Sequence, residues 1–210
     1  MCTNFTPTQR AQWVKDTLGV DLPSAYPDET FPGYLAPLVV KSHRSERVAC
    51  GLARFGLIPA WAKDDKISRH TYNARSETAA EKPSYRTAWR QRQFGLVLVD
   101  NFCEPSYESG RAVKWKIERA SGDPFGIACL WDRWTDPASG ERVVSFSMLT
   151  VNADEHPVMK QFHKPGDEKR TPVIIAPELH DAWLSADTAQ AAELMTWAHM
   201  PDLAASVRAP

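Results

Sequence analysis

Apolar residues in this chain form short runs of strand length more often than long helical stripes. These runs predict strands at 38–41, 48–55, 95–102, 112–118, 125–131 and 143–151, and a short β-like segment at 172–175. Apolar residues at helical spacing predict helices at 8–18, 84–92, 177–184 and 188–199. Because the strands follow one another and do not alternate regularly with helices, we expect an α+β fold. Its core would be a mainly antiparallel β-sheet or barrel with helices around it.

Length and composition favour one domain that spans residues 1–210. The chain has 210 residues, 43% of them hydrophobic, which is enough for one sizeable core. The formal net charge is −1, so no overall basic field predicts a nucleic-acid partner, and any such binding needs a local patch. Residues 3–16 contain no apolar run, which predicts a cytoplasmic protein with neither a secretory signal nor a membrane span.

The cysteines are far apart in sequence, at positions 2, 50, 103 and 129. Their spacing contains no Cys-x-x-Cys pair, so we expect no zinc site and no other bound metal. It contains no compact disulfide framework either, which fits a reducing compartment.

Cys2 is the residue whose position carries the most chemistry. Removal of Met1 would place a free α-amine beside the thiol, and no other residue provides this 1,2-aminothiol at a chain end. An α-amine titrates near about 7.8 and a thiol near about 8.5, so both are partly nucleophilic at neutral pH. Together they can capture an aldehyde, because the amine forms a Schiff base and the sulfur then closes a five-membered ring. Alternatively, Cys2 is an incidental residue of a loose terminus.

Residues 66–92 form a basic segment. It holds seven Lys or Arg residues, Arg69 and Arg75 among them, against two acids, with aromatic residues interleaved at positions 72, 85 and 89. Cations that follow phosphates beside aromatics that stack on bases are typical of proteins that bind single-stranded nucleic acid. The same pattern also describes a solvated helix face with core aromatics, and the sequence leaves both interpretations open.

Asn73 and Arg75 lie within this segment. Asn73 can place its amide against a small polar group, and the planar guanidinium of Arg75 can hold a phosphate. Alternatively, Ser76 caps a following helix and Glu77 lies in its favourable first turn. The two interpretations use different residues, so both can hold.

Two further side chains are candidates for proton transfer. Glu104 follows the predicted strand at 95–102, where a low dielectric can raise the pKa of a carboxylic acid and suit it to acid–base work. Glu104 can equally be a turn carboxylate at the rim of the fold. His163 carries an imidazole that titrates near neutrality, and His156 is its nearby rival.

Taken in order, these pieces resemble the SOS response-associated peptidase family, also called SRAP or abasic-site-processing proteins. The resemblance covers roughly residues 2–180. Its motifs are Cys2, Tyr34-Leu35-Ala36-Pro37, Phe55-Gly56-Leu57-Ile58-Pro59-Ala60-Trp61, Asn73-Ala74-Arg75-Ser76-Glu77-Thr78, Phe102-Cys103-Glu104, Leu149-Thr150-Val151-Asn152-Ala153, and His163 before Thr171-Pro172-Val173.

The resemblance implies a role in the response to DNA damage. Members of the family trap abasic sites in single-stranded DNA, where the opened sugar presents an aldehyde that the mature N-terminal cysteine converts to a stable thiazolidine. By position, Cys2 would supply the amine and the thiol, and Asn73 would position them. Glu104 would transfer protons, and His163 would contact phosphate and assist sugar-ring opening or strand cleavage.

The resemblance also implies how DNA is held. Arg75 would grip phosphate, Trp61 and Pro37 would line the surface where the strand bends, and Arg69 of the basic segment would add a contact. The family's peptidase activity removes residues ahead of the cysteine, here Met1. We therefore expect a monomer that binds single-stranded DNA with abasic sites and needs no cofactor, metal or membrane.

Three departures from the family pattern keep other functions open. Asn4 stands where the family has an arginine that contacts phosphate, so we expect a weaker DNA contact there. Pro105 replaces an aromatic residue, and residues 164–169 are inserted after His163. One alternative is a non-covalent module for single-stranded or junction DNA that has lost the chemistry. Another is a thiol peptidase that acts on other proteins through Cys2, a histidine and a carboxylate.

Overall fold

The computed structural model describes residues 2–208, and within them eleven strands form a single sheet. The strands are β1 (Phe5–Pro7), β2 (Leu35–Lys41), β3 (Val48–Phe55), β4 (Asn73–Arg75), β5 (Phe94–Ser106), β6 (Val113–Arg119), β7 (Phe125–Thr135), β8 (Arg142–Asn152), β9 (Arg170–Pro172), β10 (Ile174–Ile175) and β11 (Leu203–Val207). The α-helices are α1 (Ala11–Leu18), α2 (Ser76–Ala79), α3 (Arg86–Arg90), α4 (His180–Ser185) and α5 (Thr188–Leu194). Short 3₁₀-helices lie at Asp65–His70, Met159–Gln161 and Pro177–Leu179.

The sheet closes on itself and forms a barrel. Strands β2, β3, β8, β7 and β5 follow one another around the ring, and β5 closes it by pairing with both β7 and β2. Most pairs are antiparallel, while β3 and β4 run parallel to β8. The long strand β5 continues past the ring and carries β1 and β6 on its second half. The predicted α+β fold with a mainly antiparallel barrel core is therefore confirmed.

Side-chain alternation along the barrel strands divides the apolar residues into two layers. One layer fills the barrel, where Phe55 stacks on Phe146 with ring centroids 5.2 Å apart. The other layer lies between the barrel and the helices, and Trp183 of α4 is fully buried there. Its indole Nε1 donates to the carbonyl oxygen of Gly95 at 2.9 Å, which satisfies the one polar atom of a large buried side chain. Burial of such a side chain stabilises the fold by roughly 1.5–3 kcal/mol.

The predicted strands are present, and the differences lie at their ends. β3 has the predicted bounds, whereas β5 extends four residues beyond the predicted strand at 95–102. Glu104 therefore lies inside a strand, opposite Trp115 of β6, and not in a turn after it. The structure also contains β4 and a 3₁₀-helix at Asp65–His70, which the apolar pattern does not predict because both are short and polar. Within the described residues, no helix is long and apolar enough to cross a membrane.

The segment after β3 needs a glycine at position 56. Its φ is +117°, a region that side chains other than glycine rarely adopt, and a Cβ there would lie 2.5 Å from the carbonyl oxygen of Ser68. This close approach allows the loop that carries Trp61 to pack on the 3₁₀-helix at Asp65–His70. Ser145 Oγ accepts a hydrogen bond from the backbone N–H of Ile58 at 2.8 Å and fixes the same loop to β8.

Gly56→Ala is expected to lower the free energy of unfolding by about 3 kcal/mol, because the variant adds backbone strain to a steric clash. Urea denaturation measures it. Gly51→Ala is the matched control: Gly51 has an ordinary φ and no atom within 4 Å of an added Cβ, so its stability should stay close to that of the parent. Equal stability of the two variants would contradict this explanation of the motif.

Candidate functional site

Cys2 lies at the end of the barrel where β5 finishes, and its side chain is fully buried. β1 pairs with β5, and the N–H of Cys103 donates to the carbonyl oxygen of Asn4 at 2.9 Å, which holds residues 2–4 alongside the end of β5. The Cys2 carbonyl oxygen accepts a hydrogen bond from Asn73 Nδ2 at 2.7 Å. The N-terminal residues are therefore held in place, and Cys2 does not lie on a loose terminus.

Burial determines the state of the Cys2 thiol. It raises the pKa of Cys2 far above its ordinary value, and the nearby Glu104 carboxylate raises the pKa further. The Sγ atom donates to the carbonyl oxygen of Asn4 at 3.5 Å, which lowers the pKa only in part. The thiol is therefore protonated at neutral pH in this state, and its reaction requires a base or a change in its surroundings.

Asn73 is fixed from both sides. Its own strand, β4, pairs with β8, and the hydroxyl of Tyr85 donates to the Asn73 carbonyl oxygen at 3.0 Å. Its side-chain Oδ1 is buried and accepts no hydrogen bond from residues 2–208. A buried amide oxygen of this kind is an acceptor ready for an N–H group beside Cys2.

Glu104 and His163 form a pair at this end of the barrel. His163 Nε2 lies 3.3 Å from Glu104 Oε2, and their side chains are 10% and 1% exposed. The N–H of His163 donates to the carbonyl oxygen of Pro105 at 3.0 Å, and its φ is +67°, a conformation uncommon outside glycine. The residue that follows Glu104 therefore anchors His163, so the inserted residues 164–169 do not displace the imidazole.

His156, the alternative to His163, forms hydrogen bonds within the turn that follows it. Its Nδ1 accepts hydrogen bonds from the N–H groups of Val158 and Met159, each at 3.1 Å. Burial lowers the pKa of His156, which keeps the imidazole neutral. Of the two histidines, the structure brings His163 next to Glu104.

Arg170, which the sequence analysis did not single out, connects several of the segments around this site. Its side chain is 2% exposed and is bound by two carboxylates, Glu77 and Glu168, and by the carbonyl oxygen of Thr150 at 2.7 Å. Burial, the largest single cause, raises the pKa of Glu77, but the hydrogen bond from Arg170, a backbone hydrogen bond and the charge of Arg170 together leave that pKa below its ordinary value. Glu77 does lie in the first turn of α2, whereas the predicted cap at Ser76 is wrong, because Arg75 is the N-cap residue.

Arg170→Ala is expected to lower the free energy of unfolding by about 3 kcal/mol, because it leaves a cavity and a buried carbonyl oxygen without its donor. Thermal or urea denaturation measures the loss. Lys116→Ala is a suitable control: Lys116 pairs with Glu118 on the partly exposed face of β6, so the change should cost less than about 1 kcal/mol. A loss as small for Arg170 as for Lys116 would contradict this role.

Arg75 is half exposed and already carries a partner. Its Nη1 lies 2.6 Å from Oε2 of Glu168, which belongs to the inserted loop. Lys169 closes this loop by donating to the carbonyl oxygens of His163 and Lys164 at 3.3 and 2.8 Å. The loop thus holds a carboxylate where the sequence predicts phosphate, and only the three-dimensional structure shows this pairing.

The other residues expected to contact DNA divide into two groups. Trp61 is 55% exposed, with its Nε1 donating to the carbonyl oxygen of Pro83, and Arg69 is exposed without an ion pair to any residue among 2–208. Pro37 is buried within β2. Asn4 is buried as well, and its Oδ1 accepts from Nη1 of Arg208 at 3.2 Å. The side chains of Pro37 and Asn4 therefore offer no exposed surface for a DNA strand.

The aromatic residues of the basic segment belong mainly to the core. Tyr85 and Trp89 are buried in the layer between barrel and helices, and Tyr72 packs edge-on to Phe55 with ring centroids 5.9 Å apart. This supports the interpretation of a helix face with core aromatics. The cations remain on the surface, where they can meet a nucleic acid strand.

A small cavity of about 280 Å³ opens beside the site. Its wall includes Thr3, Cys103, Glu104 and Lys114. The cavity borders Glu104, whose carboxylate oxygens are themselves buried. Among residues 2–208, no cluster of His, Cys, Asp and Glu could hold a metal ion.

The fold and the site together define a closed barrel that holds a cysteine near the start of the chain beside an amide and a carboxylate–imidazole pair. The SOS response associated peptidase (SRAP) family model matches residues 1–208, so the chain belongs to this family.

Two named proteins are similar to the chain in sequence, one over most of its length and one over about half of it. The abasic site processing protein YoqW of Bacillus subtilis is 29% identical over 194 residues, which cover 88% of this chain and 80% of YoqW. The abasic site processing protein HMCES of Gallus gallus is 30% identical over 132 residues, 53% of this chain and 39% of HMCES. A crystal structure of a Bordetella bronchiseptica protein superposes with a TM-score of 0.88 at 30% identity and covers 100% of both chains.

Proposed function

We propose that this protein captures abasic sites in single-stranded DNA as a covalent thiazolidine on Cys2, once Met1 has been removed. The observation that carries the proposal is the position of Cys2, which is held by Asn73 and lies beside Glu104, itself paired with His163. The names of the relatives, abasic site processing proteins, support the substrate class. In this proposal the chain acts as one domain and as a monomer without a cofactor.

The chemistry needs proton transfers at two steps. The α-amine attacks the aldehyde carbon of the opened sugar, and the carbinolamine loses its hydroxyl as water to give the imine. The nitrogen keeps its proton, so this imine is cationic. The Cys2 sulfur then adds to the imine carbon as the thiol gives up its proton, and the ring nitrogen becomes a neutral amine. Glu104 donates the proton that converts the hydroxyl to water and accepts the thiol proton during ring closure.

His163 and Asn73 have separate roles in this proposal. His163 pairs with Glu104 and contacts the phosphate or sugar oxygen at the lesion. Asn73 orients the Cys2 amine through its amide, whose Oδ1 accepts no hydrogen bond within the described chain. Hydrolytic removal of Met1 and strand cleavage 3′ to the lesion by β-elimination would use the same acid–base pair.

In this proposal, exposed side chains make the contacts with DNA. Arg75 and Arg69 bind phosphates, and the exposed ring of Trp61 provides a stacking surface for a base beside the lesion. A few cations on one face allow a chain with net charge −1 to bind DNA.

The direct test is incubation of Met-free protein with a single-stranded oligonucleotide that carries one abasic site. A heat-stable crosslink, absent with an intact oligonucleotide of the same sequence, is the expected result. Failure of the Met-free protein to form any crosslink would overturn the proposal.

A second candidate function is non-covalent binding of single-stranded or junction DNA. The complete burial of Cys2 and its raised pKa favour it, because a protonated, enclosed thiol is unreactive. In that case intact and abasic strands would bind with equal affinity and leave no adduct. Turnover of a peptide substrate in trans, lost in Cys2→Ala, is the separate result that a thiol peptidase requires.

Glu168→Gln is expected to strengthen binding of single-stranded DNA about threefold at low salt, because it releases Arg75 from a competing carboxylate. Fluorescence anisotropy with an intact oligonucleotide measures the effect, which should shrink at high salt. Asp167→Asn removes the same charge from the same loop, and no ion pair among residues 2–208 involves Asp167. An equal gain in both variants would mean that only net charge matters and would contradict the role of Arg75.

A further inference from the structure

The end of the barrel remote from Cys2 carries a second group of features. β5 begins at that end with Phe94 and reaches Glu104 ten residues later, a path of about 33 Å along the strand at the usual rise per residue. The β2–β3 connection, residues 42–47, lies at the remote end because Val40 of β2 pairs with Gly95. None of the residues proposed to act on DNA is part of it.

The barrel mouth at this end is left open by small residues. A cavity of about 180 Å³ is lined by aliphatic and aromatic side chains together with Ala49, Gly51 and Ala53 of β3. A Cβ added to Gly51 would meet no atom within 4 Å, so the space in front of this glycine is empty. Trp131 and Val144 complete the wall, and Arg133 is the one charged residue that lines the cavity. The volume suits one aliphatic or phenyl side chain.

Cations surround this mouth. An adjoining cavity of about 890 Å³ shares Trp131 and Arg133 with the first and is lined by Arg44 and Arg47. None of the ion pairs among residues 2–208 involves Arg44, Arg47 or Arg133. Clustered guanidinium groups without carboxylates repel one another, and an anionic ligand relieves that repulsion.

The neighbouring charges do not cancel this field. Lys41 also lines the larger cavity, but it is paired with Glu46 at 3.2 Å and with Asp181 at 3.0 Å. These acids are therefore engaged with Lys41. Arg133 has the Asp132 carboxylate as a charged neighbour, while Arg44 and Arg47 form no ion pair among residues 2–208. The guanidinium of Arg133 lies 4.9 Å from the centre of the Trp131 ring, so it borders both the apolar cavity and the cationic rim.

We propose that this remote mouth binds an acidic peptide segment that presents one aliphatic or aromatic side chain. The carboxylates would pair with Arg44, Arg47 and Arg133, and the apolar side chain would enter the cavity beside Gly51. A nucleic acid fits less well, because a base in this cavity would bury polar edges against a wall that offers Arg133 alone as a polar side chain. The partner is therefore a protein with an acidic and apolar motif, docked away from the site that meets DNA.

The probe is a fluorescein-labelled peptide of three aspartates, a glycine and a phenylalanine. Its binding is measured by fluorescence anisotropy at low salt. Replacement of the aspartates by asparagine, or of the phenylalanine by alanine, is expected to weaken binding about tenfold or more, because each removes one half of the complementarity. The peptide should leave the rate of crosslinking to abasic DNA unchanged, since the two ends are far apart. This readout separates failure of the docking proposal from failure of the proposed function.

Two variants test the surface itself. Arg47→Glu reverses a charge on the rim, and Gly51→Val fills the empty space of the mouth with a side chain suited to a strand. Each is expected to weaken peptide binding about tenfold while the melting temperature and the DNA crosslinking rate stay at the parental values. Arg111→Glu makes the same charge change on the β5–β6 turn at the other end and should leave peptide binding unchanged.

Three outcomes would overturn the proposal. One is absence of peptide binding to the parent protein. Another is equal loss in Arg111→Glu and Arg47→Glu, which would show that only net charge matters. The last is tighter binding of an intact single-stranded oligonucleotide that Arg47→Glu and Gly51→Val both abolish, which would assign the surface to nucleic acid.

Discussion

Cys2→Ser is expected to abolish the heat-stable adduct with abasic DNA while it preserves a reversible one. The serine variant keeps the α-amine after Met1 removal, so it still forms a Schiff base with the sugar aldehyde. It lacks the sulfur that closes the stable ring, and the imine hydrolyses on heating. Borohydride reduction before denaturing electrophoresis should therefore reveal a crosslink in Cys2→Ser that is absent without reduction, whereas the parent protein gives a crosslink under both conditions.

The control for this prediction is Cys50→Ser. Cys50 is a free, partly buried cysteine of β3, and its partner in the sheet is Val39, far from the end of β5. Its replacement should leave the amount of heat-stable adduct unchanged. A stable adduct in Cys2→Ser, or a loss in both variants, would mean that another nucleophile or a general thiol effect is responsible.

Glu104→Gln is expected to slow formation of the adduct by about 10²–10⁴-fold, the usual contribution of a positioned general acid–base. Glutamine keeps the size of the side chain and removes the proton transfer, so the fold and the affinity for intact DNA should hold. Reversal of the adduct passes through the same protonated intermediates and should slow as well. Single-turnover crosslinking, followed over time with protein in excess, measures the forward rate.

Glu118→Gln provides the comparison for Glu104→Gln. Glu118 lies on the neighbouring strand β6, where it pairs with Lys116, and its replacement removes the same charge without reaching the site. Its crosslinking rate should match that of the parent. If Glu104→Gln also retained the parental rate, the carboxyl group would have no part in the chemistry.

The barrel strands could be predicted because alternation of apolar residues is a local property. The runs at 48–55 and 125–131 show it clearly, and the structure contains β3 and β7 there. The extension of β5 to Ser106 could not be predicted in the same way, because Pro105 and the polar residues around it break the pattern. That extension places Glu104 in a strand, where β6 and the His163 loop enclose it.

The candidate site was predictable by residue type but not by its pairings. The motif order identified Cys2, Asn73, Glu104 and His163, whereas Glu168 was not recognised as a partner of Arg75. Those two residues are 93 positions apart, and no local pattern relates them. Asn4 and Arg208 are 204 positions apart, and β11 brings them together by pairing with β6. Such contacts depend on the closed sheet and therefore on the whole fold.

These side-chain contacts also change which residues of the protein are expected to contact DNA. The sequence predicts Asn4 and Pro37 as contacts, but both side chains are buried, so the binding that we propose rests on Arg75, Arg69 and Trp61. The inserted loop adds an anion at Arg75 that a phosphate has to displace. We therefore expect DNA affinity to depend strongly on salt and on Glu168.

Mass spectrometry of the crosslinked N-terminal peptide tests the central claim most directly. Met-free protein is allowed to react with an abasic single-stranded oligonucleotide, heated, digested with nuclease and protease, and sequenced by fragmentation. The account predicts that Cys2 carries the sugar remnant, with the combined mass reduced by one water and without any reductive trapping. An unmodified Cys2 in crosslinked material, or a sugar remnant on a lysine, would contradict it.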